Sequence, residues 1–345
     1  MAKKKRTRVR PLSVRPGAHY TCFGDGLCCT DIHGLGPLTK KELVQVRRRD
    51  PAGAGWDEDF EDRMLFTEPD GGCHFLLPDL RCRIHAEQGP EAKPGGCRRF
   101  PLGLVATPEG GRITTHHRCP CRTMGDRPRL TAEAALPSLV NRSGRPKADW
   151  RVHKVRLERK RKKVSFDEWL EVEGELLDAL ASGDPPEAIL KADPFPDLKG
   201  SSWELEAEAF IDATDGTSFG VAIATFGEMV RTLLDPDHRY RGPGRPWAEA
   251  FDRAEAREGE DRGEDEVFAD WIADEIWSLD FAQTGSFDVC RAELATRLAV
   301  GRAIAKHYRK TWDLAPGRAA AEALTVVELV GDSEFWEAVE DRIRL

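Results

Sequence analysis

Residues 22–29 read CFGDGLCC, and this stretch places three cysteines within eight residues. Asp25 stands at a position where a fourth thiol could sit. If Cys28 and Cys29 are extended, their side chains point to opposite sides of the chain. Such a pair suits ligands of two metal ions, or of opposite sides of one cluster. The stretch therefore predicts a fold organised around metal-binding thiols.

The other cysteines extend this pattern over the first 121 residues. Eight of the nine lie at positions 22, 28, 29, 73, 82, 97, 119 and 121, and only Cys290 stands apart. A zinc ion or an iron–sulfur cluster takes about four protein ligands, so eight thiols imply two sites or one multinuclear site. The alternative is a set of buried cysteines without a metal, because a free cysteine packs as a small hydrophobic residue.

Composition bounds the class of protein. The 345-residue chain has a formal charge of -8 and a mean hydropathy of -0.51, and it has no run of about 18 apolar residues. We find neither an export signal nor a membrane span, so we expect a cytoplasmic protein whose thiols stay reduced. Metal then explains the cysteines better than disulfides do. The acidic balance does not favour nucleic acid as a partner, and we expect a protein partner or protein substrate instead.

Four blocks carry a resemblance to a known family. The blocks "CFGDGLCC", "CHFL", "CRIH" and "KPGGCRRFP" occur in this order between residues 19 and 121. In order and approximate spacing they resemble the YkgJ-type cysteine-cluster family, whose opening signature is CxxCxxCC. The resemblance implies a small metal-binding domain with zinc or an iron–sulfur cluster. A similar cysteine layout followed by a helical region occurs in flagellin lysine-N-methylases.

By this resemblance the first, third and fourth signature cysteines correspond to Cys22, Cys28 and Cys29, and the second falls on Asp25. Together with the later cysteines and one histidine, the predicted metal ligands are Cys22, Asp25, Cys28, Cys29, Cys73, Cys82, His85, Cys97, Cys119 and Cys121. Asp25 has three possible roles. Its carboxylate ligates the metal, or Cys121 folds back to replace the missing thiolate, or Asp25 only shapes a turn between two glycines.

Charged residues near the cysteines are candidates for supporting roles. His85 is the histidine that we prefer as a ligand, and the alternatives are His74, His116 and His117, which lie beside other cysteines. Cations next to Cys97 would offset the negative charge of thiolates, and they are Lys93, Arg98 and Arg99.

We predict an α+β protein, in which a small Cys-rich metal-binding domain with short β elements is followed by an all-α helical domain. The predicted parts are a basic disordered tail (1–15), the cysteine-cluster domain (16–130), a basic helical connector (131–164) and the helical domain (165–345). The stretch PLGLVATPEGGRITTHH, residues 101–117, is expected to form two short strands around a turn at Pro108 to Gly111. Capping boxes at Thr39–Glu42 and Ser165–Glu168 predict two helix starts.

The helical domain carries further predictions. Apolar spacing and capping residues indicate helices at about 201–213, 217–234, 264–283, 286–310, 317–330 and 333–343. The Gly-, Pro- and charge-rich segment 239–263 is predicted to be an exposed loop. The basic segment 151–163 is expected to pack against the acidic segment 248–275.

Two functions follow from these patterns. The first is a metal-binding protein in which zinc or an iron–sulfur cluster holds the N-terminal domain together. The second is an iron–sulfur enzyme that modifies a protein substrate, as the likeness to lysine methylases implies. The sequence has no Walker loop, no dinucleotide fingerprint and no HExxH motif, so nucleotide-dependent or zinc-protease chemistry has no support.

Overall fold

The structure, a computed structural model, describes residues 11–141, 144–257, 262–283 and 285–345. The predicted α+β class is confirmed, because short strands precede a long run of helices. The strands are β1 (Leu12–Val14), β2 (Ala54–Asp57), β3 (Asp62–Leu65), β4 (Leu102–Ala106), β5 (Gly111–Thr115), β6 (Trp150–Arg151), β7 (Lys154–Val155) and β8 (Val164–Ser165).

The helices fall into two groups, and those of the Cys-rich segment and the connector are short. They are α1 (Lys40–Arg49), α2 (Arg83–Gln88), α3 (Gly95–Arg99), α4 (Pro120–Thr123) and α5 (Ala132–Leu139). The later helices are α6 (Phe166–Ala181), α7 (Pro186–Leu190), α8 (Trp203–Asp212), α9 (Ser218–Leu234), α10 (Ala248–Glu255), α11 (Glu264–Ser278), α12 (Phe287–Trp312), α13 (Pro316–Gly331) and α14 (Glu334–Glu340). Single 3-10 turns span Leu27–Cys29, Pro90–Ala92 and Asp280–Ala282.

The main sheet has the strand order β1-β5-β4-β6. The predicted hairpin is confirmed: β4 and β5 pair antiparallel, with Leu104 opposite Ile113. Strand β1 adds in parallel to β5, and β6 adds in parallel to β4. Two smaller antiparallel pairs, β2-β3 and β7-β8, lie outside this sheet. The hairpin leads directly into the loop that carries the last two cysteines of the cluster.

Both predicted capping boxes are present. The Thr39 backbone N–H donates to Glu42 Oε2 at 2.9 Å, and the Ser165 N–H donates to Glu168 Oε2 at 2.8 Å. In return each hydroxyl accepts from the backbone N–H of its glutamate. Two otherwise unpaired donors are satisfied at each helix start, which fixes where α1 and α6 begin.

The later helices pack around α13, which is buried from Gly317 to Val330. Its small side chains let α9, α11 and α12 approach closely. Helices α8 and α9 also meet at short range, because a Cβ at Gly227 would lie 2.6 Å from the Ala207 carbonyl oxygen. The six predicted helices of this region are all present, and only the interval 264–283 is divided, since its helix ends at Ser278 and a 3-10 turn follows.

The Cys-rich segment contributes to three cores, one of which is built on the β4-β5 hairpin and includes Leu104 and Ile113. Leu27, Ile32 and Met124 belong to the large core that the later helices form. A separate small core combines Phe75 and Ile84 with other buried residues of α1, β3 and the loops between them. The segment therefore packs against the helices while keeping a core of its own, and the domain boundaries near 130 and 164 stay predictions.

Part of the predicted disordered tail is ordered. Leu12–Val14 form β1, and Arg15 is 8% exposed, with its guanidinium bonded to Asp270 and Asp274 on α11. The prediction was wrong for residues 11–15, because a basic composition does not show that Arg15 finds acidic partners far along the chain. Residues 1–10 lie outside the described residues.

The connector 131–164 also differs from its prediction. It is helical only at α5, and residues 150–165 carry β6, β7 and β8. Val152 and Val155 are buried between exposed charged residues, and the Val152 N–H donates to the Ala106 carbonyl oxygen of β4 at 2.9 Å. Its described polar contacts include Arg159 N–H to Asp288 Oδ2 at 2.9 Å, on α12. The acidic segment 248–275 was expected to pack against the basic segment 151–163. The ion pairs described for the acidic segment do not involve residues 151–163.

Segment 239–263 was predicted to be a loop, yet it contains α10. Ala250, Phe251 and Ala254 are buried at helical spacing, and the surrounding charges hide this short apolar pattern in the sequence. In the part of the chain that the structure describes, none of the helices is both long and apolar enough to cross a membrane.

Candidate metal centre

Asp25 lies in a turn that two glycines make possible. Gly24 and Gly26 have φ angles of 73° and 87°, in the left-handed region that side chains disfavour. The turn aims the Asp25 side chain inward, where Asp25 is 5% exposed. Its Oδ1 accepts the Leu27 backbone N–H at 2.8 Å, so Asp25 does shape the turn. Only one carboxylate oxygen is used in this way.

The second oxygen faces the last cysteines of the cluster. Asp25 Oδ2 lies 2.6 Å from the Cys121 sulfur, and the two residues are 96 positions apart. One ligand atom each from Asp25, Cys119 and Cys121 lies within 4.8 Å of the others, and all three residues are buried. The Phe23 backbone N–H donates to the Cys121 sulfur at 3.1 Å, which places the neighbouring, exposed Cys22 close to this point. Three potential ligands, two sulfurs and one oxygen, therefore meet at one place, which we call the Asp25 site.

The electrostatics of the Asp25 site disfavour negative charge when no cation is bound. The hydrogen bond with Cys119 is the largest influence that raises the pKa of Cys121, and burial and the Asp25 charge raise it further. The hydrogen bond with Cys121 raises the pKa of Cys22. Burial raises the pKa of Tyr20, and the neighbouring cysteines add to the shift. A bound cation would reverse these effects, because it stabilises thiolate and carboxylate together.

Two arginines, one of them in the helical region, fix the backbone of this site. Arg253 of α10 donates its Nε–H to the Asp25 carbonyl oxygen at 3.0 Å. Arg127 donates to the carbonyl oxygens of Pro120 and Cys121 and so holds the turn that carries Cys121. The sequence patterns did not indicate Tyr20, Arg127 or Arg253 as residues of this site. For Tyr20 the signal was available, since it stands two residues before Cys22.

Another compact group consists of His117, Asp270 and Asp274, whose ligand atoms also lie within 4.8 Å of one another. Asp274 Oδ2 lies 2.8 Å from His117 Nε2 and accepts from Arg122 Nη2 at 2.8 Å. Arg122 also binds Asp270, and Arg15 bonds to both aspartates. Arg262 contacts Asp270 as well, at 3.2 Å. Three guanidinium groups thus surround the two carboxylates, so a divalent cation would have to displace an existing partner. We interpret the group as an internal ionic network that anchors the loop of Cys119 and Cys121 on α11.

The remaining cysteines form a second group, which we call the five-cysteine group: Cys28, Cys29, Cys73, Cys82 and Cys97. The sulfurs of Cys28 and Cys29 are 3.9 Å apart, and the Cys73 N–H donates to the Cys29 carbonyl at 2.7 Å. Cys29, Cys73, Cys82 and Cys97 all pack in the small core. Three separate stretches of chain thus bring their thiols into one region.

Lys93 is the cation that faces the five-cysteine group. Burial lowers the pKa of Lys93, but the nearby thiols, led by Cys28 and Cys29, outweigh it and raise the pKa. Burial raises the pKa of Cys97 to about 12 and that of Cys73 to about 11, and in both cases Lys93 opposes the shift. The other two predicted cations point elsewhere: Arg98 Nη2 donates to the Val140 carbonyl oxygen and Arg99 Nη2 to Asp149.

The histidines have other surroundings. His85 is exposed on α2. Among the described residues it belongs neither to the Asp25 site nor to the group of His117, Asp270 and Asp274, and its role as a ligand stays a prediction. Both ring nitrogens of His74 are occupied, by Glu68 at 2.6 Å and by Asp50 at 2.7 Å. His116 stacks on Phe100 with ring centroids 6.1 Å apart. Cys290 packs in the helical core and is 4% exposed.

The comparisons with known proteins gave no match. No family model, curated protein or solved structure matches the chain. The resemblance to the YkgJ-type family thus stays a prediction, and function has to be argued from the two groups of thiols.

Proposed function

We propose that the protein binds metal through its N-terminal cysteines and that the Asp25 site holds one of the ions. The observation that carries this proposal is the buried contact of 2.6 Å between Asp25 Oδ2 and the Cys121 sulfur. Two acidic groups held together away from water are costly unless a proton or a cation offsets their charge. Cys119 lies at the same point, and we assign the fourth ligand position to Cys22, because its neighbour Phe23 contacts the Cys121 sulfur.

This donor set fits zinc. Structural zinc sites take four ligands in tetrahedral geometry from cysteine sulfur, histidine nitrogen and carboxylate oxygen. Iron–sulfur clusters are held mainly by four cysteine thiolates, and here one of the four ligands is a carboxylate. Zinc bound at this site would join the turn of residues 22–29 to the loop of Cys119 and Cys121. The metal would thus close a long loop of chain, which stabilises the folded state.

We assign a second ion or cluster to the five-cysteine group. Two sulfurs on one tetrahedral zinc ion are about 3.8 Å apart, and the Cys28 and Cys29 sulfurs are 3.9 Å apart. Lys93 would offset part of the negative charge of four or five thiolates. The nine cysteines are all free, in keeping with our proposal of a cytoplasmic, reducing location.

Elemental analysis of the purified protein tests this proposal. We expect about two zinc equivalents per chain, or one zinc together with iron and sulfide. Cys121→Ser should lose the ion of the Asp25 site, whereas Cys290→Ser, a substitution outside both groups, should keep the full complement. A metal-free protein, or equal metal content in wild type and Cys121→Ser, would contradict the proposal.

An iron–sulfur enzyme that modifies a protein substrate is the second candidate. It is favoured by a cavity of about 350 Å³ that Cys28 and Cys97 help to line, because an enzyme needs space for a substrate beside its cofactor. Anaerobic purification followed by absorption and electron paramagnetic resonance spectra decides between the candidates. A colourless protein that contains only zinc would exclude the cluster.

A further inference from the structure

The cavity beside the five-cysteine group lies between the Cys-rich segment and the helices. Its volume of about 350 Å³ is bounded on one side by Cys28 and Cys97, and on the other by Phe219 of α9 and Leu329 of α13. Ligand cavities of proteins have volumes of about 300–1,000 Å³ and often lie between structural units. The cavity therefore has the size and position of a small-molecule site.

One part of the wall is aromatic and cationic. The rings of Phe100 and His33 have centroids 4.6 Å apart, and the Arg118 guanidinium lies 5.6 Å from the centroid of Phe100. All three residues line the cavity. The Arg118 side chain is 15% exposed and its Nη1 binds Asp332, whose side chain is 47% exposed. Asp332 lines the cavity as well, so a ligand that binds Arg118 would lie beside this carboxylate.

Two buried nitrogen atoms of this wall lack a partner. Arg118 Nε and His33 Nε2 are shielded from solvent and make no hydrogen bond among the described residues. The Arg118 Nε always carries a hydrogen, and His33 Nε2 carries one in one of its two tautomers. Buried donors without an acceptor are rare in folded proteins and point to a missing partner.

We propose that this cavity binds a small organic carboxylate with an apolar body. Its carboxylate would accept hydrogen bonds from Arg118 and His33, since guanidinium groups pair with carboxylates in a charge-assisted way. Its hydrocarbon part would pack against Phe219, Leu329 and the ring of Phe100. The inference concerns a ligand rather than a metal, and it holds for either metal in the five-cysteine group.

Titration calorimetry of the metal-replete protein with hexanoate, acetate and hexylamine tests the proposal. We expect hexanoate to bind at one site per chain and at least about tenfold more tightly than acetate, because its extra methylenes leave water. Hexylamine has a similar chain but the opposite charge and should not bind. No saturable hexanoate binding, or equal binding of hexylamine, would overturn the proposal.

Two variants locate the site. Arg118→Gln should weaken hexanoate binding at least about tenfold, since a hydrogen bond to a charged group is lost. Gly96→Leu places a side chain on the cavity wall, where a Cβ would meet nothing closer than the Gly36 carbonyl oxygen at 3.7 Å, and it should weaken binding too. Gly174→Leu, in the open on α6, is the matched control and should bind as wild type does.

Metal content measured on the same samples separates the two proposals. Loss of hexanoate binding in variants that keep their metal supports the carboxylate site. Unchanged hexanoate binding in both folded cavity variants overturns it, whatever the metal content. A metal-free wild type that still binds hexanoate would contradict the metal proposal alone.

Discussion

The sulfur of Cys121 lies 2.6 Å from Asp25 Oδ2, although 96 positions separate the two residues. This contact joins the first and last parts of the cysteine cluster. Of the three roles predicted for Asp25, the turn is confirmed through Oδ1, whereas ligation through Oδ2 and replacement of the missing thiolate by Cys121 stay proposals.

Removing metal should unfold one part of the chain before the rest. After treatment with a strong chelator, we expect amides of residues 20–100 to lose protection, because metal-binding energy contributes directly to folding of such segments. The β4-β5 hairpin should keep its protection, because Trp277 Nε1 donates to the Ile113 carbonyl at 2.9 Å and ties it to α11. Hydrogen exchange with mass spectrometry measures both. Unchanged exchange in residues 20–100 after complete demetallation would refute this account.

Gly26→Ala should destabilise the motif. Gly26 has a φ of 87°, and a Cβ there would lie 3.2 Å from Leu80 Cβ. The left-handed backbone alone costs about 1–2 kcal/mol for alanine, and the contact adds to this. Gly183→Ala is the control, since Gly183 has a φ of 93° and nothing within 4 Å. Metal content and urea denaturation should show a loss of both metal and stability in the first variant and only a modest loss of stability in the second.

Arg122→Gln should be strongly destabilising. Its guanidinium binds Asp270 and Asp274 at 2.7 and 2.8 Å, and the side chain is buried. Removing one partner of a buried ion pair costs about 3–5 kcal/mol, because a charge is left uncompensated. Arg161→Gln, whose side chain is 74% exposed in a surface pair, should change the free energy of unfolding by less than about 1 kcal/mol. Similar effects of the two substitutions in urea denaturation would argue against the network.

Glu275 should make the stability depend on pH. Burial raises the pKa of Glu275 from 4.5 to about 8 in the folded protein. A carboxyl whose pKa is higher in the folded than in the unfolded state favours folding when protonated. Its contribution is thus fully present below pH 4.5 and is lost as the pH rises towards 8.

Glu275→Gln should therefore lower the slope of stability against pH between about 5 and 8. Glu249→Gln, at a side chain 84% exposed, should leave the slope as in wild type. Urea denaturation across this pH range measures both variants. A slope that stays unchanged in Glu275→Gln would show that this carboxyl is not the cause.

Local signals predicted local structure well. Some features depend only on residues that are close together in the chain, and the sequence is sufficient to predict them. They are the capping boxes at Thr39 and Ser165 and the hairpin of β4 and β5. The partners of Arg15 and the division of the thiols into two groups could not be predicted. They depend on which distant segments meet, and that is decided by packing of the cores rather than by spacing along the chain. Helix α10 was missed because its buried stripe is short and surrounded by charge.

The metal content of Asp25→Ala compared with wild type tests the central claim most directly. We predict that the variant loses the ion of the Asp25 site and keeps the metal of the five-cysteine group, because Asp25 supplies a ligand to the first site only. Cys290→Ala, purified in parallel, should match the wild type. If Asp25→Ala retains the same metal stoichiometry and the same metal affinity as wild type, Asp25 is a turn residue alone and the proposed centre is wrong.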